Sequence, residues 1–371
     1  MYKMMTPGPT MVAENVRKAR SMETGNPDLD LDFYDYYKET CELYSELLHT
    51  KNESLTLSGE GILGLEAAVA SLTEPGDRVL VLDNGVFGKG FADFVEIYGG
   101  KPVLYTTEYH KAIEADPLRA FLEKDSDFKY ATVVHCDTPS GMLNDIAVIC
   151  PLLKEYGILT VVDSVSGMFG NEVNVDASQI DILCGGSQKA VSAPIGLTMV
   201  TISEAAKQAM ENRKTKIASF YANLMTFKDY YENKWFPYSM PISDIYGLRQ
   251  ALQNIKEDNE MLERHAKVAA KTREAVVRSG LTLYAENGYS NTVTVFTIPG
   301  GVTAEQILTT LRADYGIMLA GSFDVMAGEV IRIGHMGYNC TEENMTETLD
   351  ALGKTLEKLG VSLTKPLQYE I

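Results

Sequence analysis

The chain has 371 residues, 45% hydrophobic and 23% charged, a composition typical of a globular enzyme with room for two domains. Its net charge of −18 argues against nucleic acid as a partner, because an acidic surface repels phosphate backbones. The five cysteines show no paired spacing, which argues against a disulfide framework and indicates a reducing cytoplasm. We find no signal peptide, no membrane-spanning apolar stretch and no metal-ligand spacing, so neither membrane nor metal is expected.

The N-terminal part begins with a turn-rich segment, Thr6–Thr10, whose two prolines exclude a helix. Apolar residues then recur every three to four positions over Asp32–His49, which predicts a helix. A short strand follows at Ser54–Leu57, and it leads through a glycine-rich turn into a helix over Ile62–Leu72. This is the order strand, tight turn, helix.

The same order repeats along the next 130 residues or so. Six further strands are predicted, and the first of them is apolar enough to be buried on both faces; they are Arg78–Leu82, Pro102–Tyr105, Ala131–Cys136, Ile158–Val162, Ile180–Cys184 and Leu197–Thr201. Helices are predicted from Asn84-Gly85 to about Tyr98 and over Ile149–Tyr156, with Pro151 in the first turn of the latter. The pattern predicts an α/β fold with a mostly parallel seven-stranded sheet covered by helices on both faces.

The rest of the chain has a different pattern. No strand is predicted over 203–240, and Ser243–Ser279 is helical and charged. Beyond it we predict strands at Leu281–Leu283, Thr292–Ile298 and Val330–Ile333, and helices at Thr303–Tyr315 and Thr341–Leu359. The expected domains are an N-terminal arm (1–18), a large domain (19–255) and a smaller C-terminal α+β domain (256–371).

Polar residues follow the ends of five predicted strands: Ser58, Asn84, Thr138, Asp163 and Lys189. In open α/β sheets, ligands bind at the carboxyl ends of strands, so these residues predict one shared site.

Lys189, in Gly185-Gly186-Ser187-Gln188-Lys189-Ala190, suits the Schiff-base lysine of pyridoxal 5′-phosphate (PLP) and the base that transfers the proton. Considered without the neighbouring motifs, Lys189 would be interpreted as a surface lysine. Asp163 suits the carboxylate on the pyridine nitrogen, and its competing reading is a helix N-cap or turn residue.

The turn Ser58-Gly59-Glu60 opens a helix, where bare amides form an anion site for the cofactor phosphate. Gln188 is expected to add a donor. The carboxylate of Glu60 is unfavourable beside a phosphate, so we expect its side chain to point away.

Three more residues complete the predicted site. Phe87, between two glycines, suits a ring stacked on the cofactor, or a helix-start packing residue. Thr138 suits a hydrogen bond to the ring hydroxyl, or a β-turn. Arg332 is a lone charge on an apolar strand, suited to gripping a substrate carboxylate or to a structural ion pair.

These motifs resemble class V aminotransferases of PLP fold type I, most closely the alanine–glyoxylate and serine–pyruvate transaminases, over nearly the whole chain. The motifs that carry the resemblance are Val162–Gly167, Gly186–Ala190, Ala193–Gly196 and Arg332–Gly337.

The resemblance implies the roles given above for Lys189, Asp163, Ser58, Gly59, Gln188, Phe87, Thr138 and Arg332. It adds Pro7 and Gly8 as substrate contacts. It also implies a homodimer in which a tyrosine and a threonine reach the phosphate from the partner. Phe236 stands at that tyrosine position, so this phosphate contact is either lost or made by Tyr238, and Ser239 stands at the threonine position.

The expected activity is ping-pong transfer of an amino group between a small amino acid (alanine, serine or glycine) and glyoxylate or pyruvate. A 2-aminoethylphosphonate–pyruvate transaminase is the alternative, and another fold type I PLP enzyme such as a lyase is a further one. Cysteine desulfuration is disfavoured, because no cysteine lies between Lys189 and Arg332. A non-enzymatic ligand-binding regulator stays open as a different class of function.

Overall fold

The computed structural model describes residues 2–370. Its centre is a seven-stranded sheet. In chain order the strands are β1 (Glu53–Ser58), β2 (Arg78–Asp83), β3 (Lys101–Thr106), β4 (Tyr130–Val134), β5 (Leu159–Asp163), β6 (Ile182–Gly186) and β7 (Leu197–Ile202).

The spatial order of the strands is β1-β7-β6-β5-β4-β2-β3. Strand β7 runs antiparallel to both of its neighbours, and the other pairs are parallel. Strands β4 and β6 are buried at every residue, as expected for strands covered on both faces. The mostly parallel seven-stranded sheet is therefore confirmed, and six strands end at the same edge.

Eleven α-helices surround the strands along residues 2–370. They are α1 (Glu14–Arg20), α2 (Leu31–Leu47), α3 (Gly61–Leu72), α4 (Val86–Ile97), α5 (Ala115–Leu122), α6 (Ile146–Glu155), α7 (Glu204–Glu211), α8 (Ile242–Glu257), α9 (Met261–Arg278), α10 (Ala304–Tyr315) and α11 (Glu342–Lys358). None of them is both long enough and apolar enough to cross a membrane.

A second hydrophobic core lies in the C-terminal region, which we define as residues 261–370. It includes buried apolar residues of α9, α10 and α11 and of two antiparallel strands, β8 (Val293–Thr297) and β9 (Val330–Gly334). Met5 also belongs to this core, because Lys3–Met4 pairs with Ile317–Met318. The N-terminal segment is therefore fastened to the C-terminal region.

Three local predictions need correction. Helix α6 begins at Ile146, where Asp145 accepts a hydrogen bond from the backbone N–H of Ala147, so Pro151 lies in the second turn rather than the first. The helical stretch near 258 is two helices, since the Asp258 carboxylate leaves the helix to bind both terminal nitrogens of Arg264.

The third correction concerns Leu281–Leu283, which is not a strand. Only Leu283 bridges to Phe296 there, so the apolar residues pack without a ladder.

Candidate active site

Lys189 lies in the turn after β6, at the carboxyl edge of the sheet. Its Nζ donates to the carbonyl of Pro7 at 2.6 Å, and it makes no ion pair in the described chain. Burial, followed by the positive charge of Arg332, lowers the pKa of this amine to about 8. Most surface lysines are exposed, whereas Lys189 is half-buried and has no carboxylate partner. The structure therefore favours Lys189 as a site residue over its interpretation as a surface lysine.

Asp163 is the last residue of β5 and is only 5% exposed. Its Oδ1 accepts from the backbone N–H of Val165 at 2.9 Å, and its other oxygen has no partner within residues 2–370. Burial raises the pKa of this carboxyl to about 7, helped by the negative charge of Asp137, while the Val165 N–H and Lys189 act against the rise. A protonated ring nitrogen would supply the missing charge and donor.

The turn Ser58–Glu60 differs from the prediction in two ways. The backbone N–H of Gly59 donates to the Gly196 carbonyl at 2.8 Å, so this amide is already occupied. Glu60 does not point away. Its carboxylate caps α3 by accepting from the Ile62 N–H at 3.3 Å, and accepts from Gln188 Nε2 at 2.8 Å. The physical reason is that a negative group at a helix N-terminus satisfies free amides and the helix dipole.

Two buried polar atoms near this turn have no hydrogen-bond partner among residues 2–370. They are Gln188 Oε1 and the hydroxyl of Tyr238, which lies beside the Ser58 backbone of the same chain. An unpaired buried hydroxyl is costly, and a polar group of a ligand would satisfy it. Together with Lys189 and Asp163, which form no ion pair in the described chain, these atoms fit a polar ligand such as PLP.

Two residues of the segment predicted to reach a partner's phosphate have contacts within the chain. Ser239 Oγ donates to Asp28 Oδ2 at 2.7 Å within the chain. Phe236 is 5% exposed and stacks on Tyr34 with ring centroids 4.5 Å apart. Position 236 is therefore part of the core and does not project toward a phosphate, which leaves Tyr238 as the tyrosine next to this turn.

Phe87 is the second residue of α4, and its backbone N–H donates to Asp137 Oδ1 at 3.0 Å. Its half-buried ring meets the ring of Phe323 edge-on at 6.0 Å. Thr138 is buried and forms a short hydroxyl contact with Ser166. Asn84 instead bonds to Asn144 and to the Lys111 carbonyl, so it holds loops together rather than facing the site.

Arg332 lies on β9, where its Nε donates to the Gly321 carbonyl at 2.5 Å. Its guanidinium sits 5.7 Å from the centre of the Phe323 ring, and no acidic residue from 2 to 370 pairs with it. Burial lowers its pKa to about 10. The alternative interpretation of Arg332, a structural ion pair, is therefore not supported in the described chain. Both terminal nitrogens of its guanidinium are free to bind a substrate carboxylate.

Pro7 and Gly8 contact the lysine itself. Gly8 has φ +88°, and a Cβ added there would lie 2.4 Å from Lys189 Cδ. The adjoining Thr10 donates its backbone N–H to the Gln188 carbonyl at 3.0 Å. The N-terminal segment thus lies directly against the lysine turn.

Sequence reasoning missed Asp137, Ser166 and Phe323. Asp137 carried a usable signal, because it is a second acidic residue just after a buried strand. Phe323 carried none, since it meets Phe87 and Arg332 only through the packing of the C-terminal region.

An α/β sheet with a lysine free of ion pairs and a buried aspartate at its carboxyl edge fits the PLP-dependent transferase class. The chain belongs to the class V aminotransferase family, whose pattern matches residues 6–345.

It is 34% identical over 361 residues to an uncharacterized aminotransferase of Methanocaldococcus jannaschii (96% of this chain, 93% of the relative). It is 32% identical over 345 residues to the pyridoxamine–pyruvate transaminase of Mesorhizobium japonicum (91% and 87%).

An alanine–glyoxylate aminotransferase of Callithrix jacchus is 30% identical over 343 residues (86% and 81%). The crystal structure of ureidoglycine–glyoxylate aminotransferase from Bacillus subtilis superposes with a TM-score of 0.94 at 29% identity, covering 99% of this chain and 96% of that one. The predicted family, fold type, cofactor and transaminase activity are confirmed.

Proposed function

We propose that Lys189 holds PLP and that the transamination site consists of Lys189, Asp163, Phe87, Thr138 and Arg332. One observation carries the proposal: Lys189 and Arg332 are near enough for their charges to interact and are each at least half-buried, yet neither forms an ion pair with an acidic residue in the described chain. Two unpaired cations in one pocket are unfavourable unless a ligand supplies the negative charge.

PLP, when bound, supplies a reactive carbonyl and a ring that withdraws electrons from the substrate. The residues of the chain do the rest. Lys189, with its pKa near 8, is partly neutral at physiological pH and can accept a proton at Nζ and return it. The Pro7 carbonyl holds that amine when it is free. Arg332 offers its two terminal nitrogens to a carboxylate, and Asp163 stabilises a protonated ring nitrogen.

The substrates we propose are a small amino acid (alanine, serine or glycine) and glyoxylate or pyruvate. In support, Arg332 gives a fork for one carboxylate, and the pocket holds further negative charge at Asp137. 2-Aminoethylphosphonate carries a phosphonate in place of the carboxylate, and Asp137 would repel the larger negative charge of that group more strongly, which disfavours this alternative.

Glu60 favours a second candidate, transfer of the amino group of pyridoxamine to pyruvate, giving pyridoxal and alanine. Its carboxylate occupies both the Ile62 N–H and Gln188 Nε2, two donors expected for a cofactor phosphate. A ligand with a hydroxymethyl group would donate to Glu60, whereas a phosphate would be repelled by it. The relative from Mesorhizobium japonicum carries this activity in its name.

We also propose a homodimer, with a second copy covering the exposed aromatic residues Phe220, Tyr221 and Trp235 close in sequence to Tyr238. We propose a cytoplasmic location, supported by five cysteines that are all free and buried. The domain division at 18 and 255 is kept as a proposal, supported by the second core in the C-terminal region.

The first experiment asks whether Lys189 holds the cofactor. The purified protein should be yellow, and borohydride should fix PLP to the Lys189 nitrogen, detected as added peptide mass. Lys189→Ala should lose colour and turnover, whereas Lys228→Ala, at an exposed ion pair with Glu211, should keep both. A colourless protein that takes up no PLP would refute the assignment.

The second experiment separates the donors. Alanine, serine, 2-aminoethylphosphonate and pyridoxamine are each mixed with an acceptor, and the absorbance change is followed. Glu60→Gln discriminates further: it should tighten PLP binding if the phosphate is accommodated, because a repulsive charge is removed. It should instead lower the turnover rate of pyridoxamine if Glu60 accepts a hydrogen bond from the hydroxymethyl group of that substrate.

A further inference from the structure

Asp137 is a buried carboxylate that is not among the residues proposed above to hold the cofactor or the substrate. It lies just after β4, is fully buried, and has no basic residue within 4 Å in the described chain. Its Oδ1 accepts from the Phe87 N–H at 3.0 Å, and its Oδ2 accepts from the Ser140 hydroxyl at 2.7 Å and the Ser140 N–H at 3.2 Å. A buried charge without an ion pair is costly to retain.

The start of α4 is packed onto this carboxylate. A Cβ added at Gly85 would lie 2.4 Å from Asp137 Cγ and 2.7 Å from each carboxylate oxygen. Phe87 is the second helical residue, so its N–H is one of the free amides of the helix, and an anion there is favoured. Asp137 therefore decides where the helix begins and where the Phe87 ring lies.

Asp137 also acts on the charges of the site. It raises the pKa of Arg332, against the larger lowering by burial, and it raises the pKa of Asp163. No acidic residue along residues 2–370 lies within salt-bridge distance of Arg332, and Asp137 is the acidic residue whose charge acts on it from farther away. In the absence of substrate, Asp137 is thus the negative group that offsets the charge of Arg332.

We propose that Asp137 is a positioning residue of the transamination site, which holds Phe87 against the cofactor ring through its backbone and offsets the charge of Arg332 until a substrate carboxylate arrives. The proposal rests on the proposed function. Its two parts predict opposite effects of removing the charge. Binding of the cofactor weakens because the Phe87 N–H loses its charged acceptor and Phe87 is held less firmly, while binding of a carboxylate to Arg332 strengthens.

The test is Asp137→Asn, which keeps the shape and removes the charge. Wild-type protein is first stripped and titrated with PLP, with absorbance and visible circular dichroism as readouts. We expect the dissociation constant for PLP to rise about tenfold in the variant and the dichroic band to change. The inhibition constant of propionate, an unreactive monocarboxylate, should fall severalfold in the loaded enzyme.

The matched control is Asp181→Asn. Asp181 is equally buried and accepts from Lys154, from the Thr160 N–H and from Ser203, but it lies just before β6, at the opposite edge of the sheet. This variant should melt at a lower temperature and leave both ligand readouts unchanged.

If Asp137→Asn changes neither constant, or weakens both ligands, Asp137 is a structural residue only and the inference is wrong. If Asp137→Asn does not fold, Gly85→Ala displaces the carboxylate while retaining its charge. Gly85→Ala should then raise the dissociation constant for PLP with little change in the inhibition constant of propionate. An unchanged dissociation constant for PLP would equally refute the inference. Failure of wild-type protein to bind PLP would instead refute the proposed function.

Discussion

Gly8→Ala should remove activity while leaving the fold nearly intact. Gly8 has φ +88°, a left-handed conformation that costs an alanine about 1–2 kcal/mol. The new Cβ would lie 2.4 Å from Lys189 Cδ and 2.8 Å from Cε and Nζ. Lysine is flexible, so the chain relieves this clash by moving the side chain about 1 Å to reach ordinary contact distance. The strain therefore acts on the reactive amine rather than on the core.

A displacement of about 1 Å at a reacting group can cost about 100-fold in rate. We therefore expect the rate of the alanine half-reaction to fall about 100-fold, measured by stopped-flow absorbance, with a loss of unfolding free energy of about 1–2 kcal/mol.

Gly76→Ala is the matched control. Gly76 has nearly the same φ, +90°, but nothing lies within 4 Å of its added Cβ. It should lose the same stability and keep full activity. The reasoning is refuted if Gly8→Ala keeps wild-type rates, or if both variants lose activity to the same extent.

Three further predictions concern single residues. Arg332→Lys removes the planar fork, so the KM for the amino acid should rise about 10–100-fold in steady-state assays, and an unchanged KM would show that another group binds the carboxylate. Asp163 has a pKa raised by burial to about 7, against about 4 in the unfolded chain, so the stability of cofactor-free protein should fall as the pH rises from about 4 to about 7. Asp163→Asn should flatten that slope in urea unfolding, and a retained slope would contradict the raised pKa. Phe236→Tyr places a hydroxyl in the aromatic core beside Tyr34, so thermal melting should show a loss of about 1–3 kcal/mol and PLP affinity should not improve. Tighter PLP binding would mean that position 236 faces the phosphate after all.

The sequence by itself determined the sheet and the main members of the site. Strands such as β4 and β6 are local apolar runs, and a polar residue after such a run must emerge at the edge of the sheet. That rule places Lys189, Asp163 and Thr138 at this edge. Their placement needed only short-range pattern, because strand direction and residue type are both local properties.

Only the tertiary structure decided what these residues touch. The Pro7 carbonyl accepts a hydrogen bond from Lys189, although the two residues are 182 positions apart in the chain. Arg332 has no acidic partner because its position on β9 places its guanidinium beside the Phe323 ring. The orientation of Glu60 depends on two donors that its carboxylate satisfies together, the Ile62 N–H at the helix N-terminus and Gln188 Nε2 from a distant part of the chain, and residue type does not reveal the second. The environment of Asp137 is also determined by tertiary structure, since its burial depends on the approach of Gly85 and Phe87 from another loop. Partners distant in sequence leave no periodic signal, so packing alone determines them.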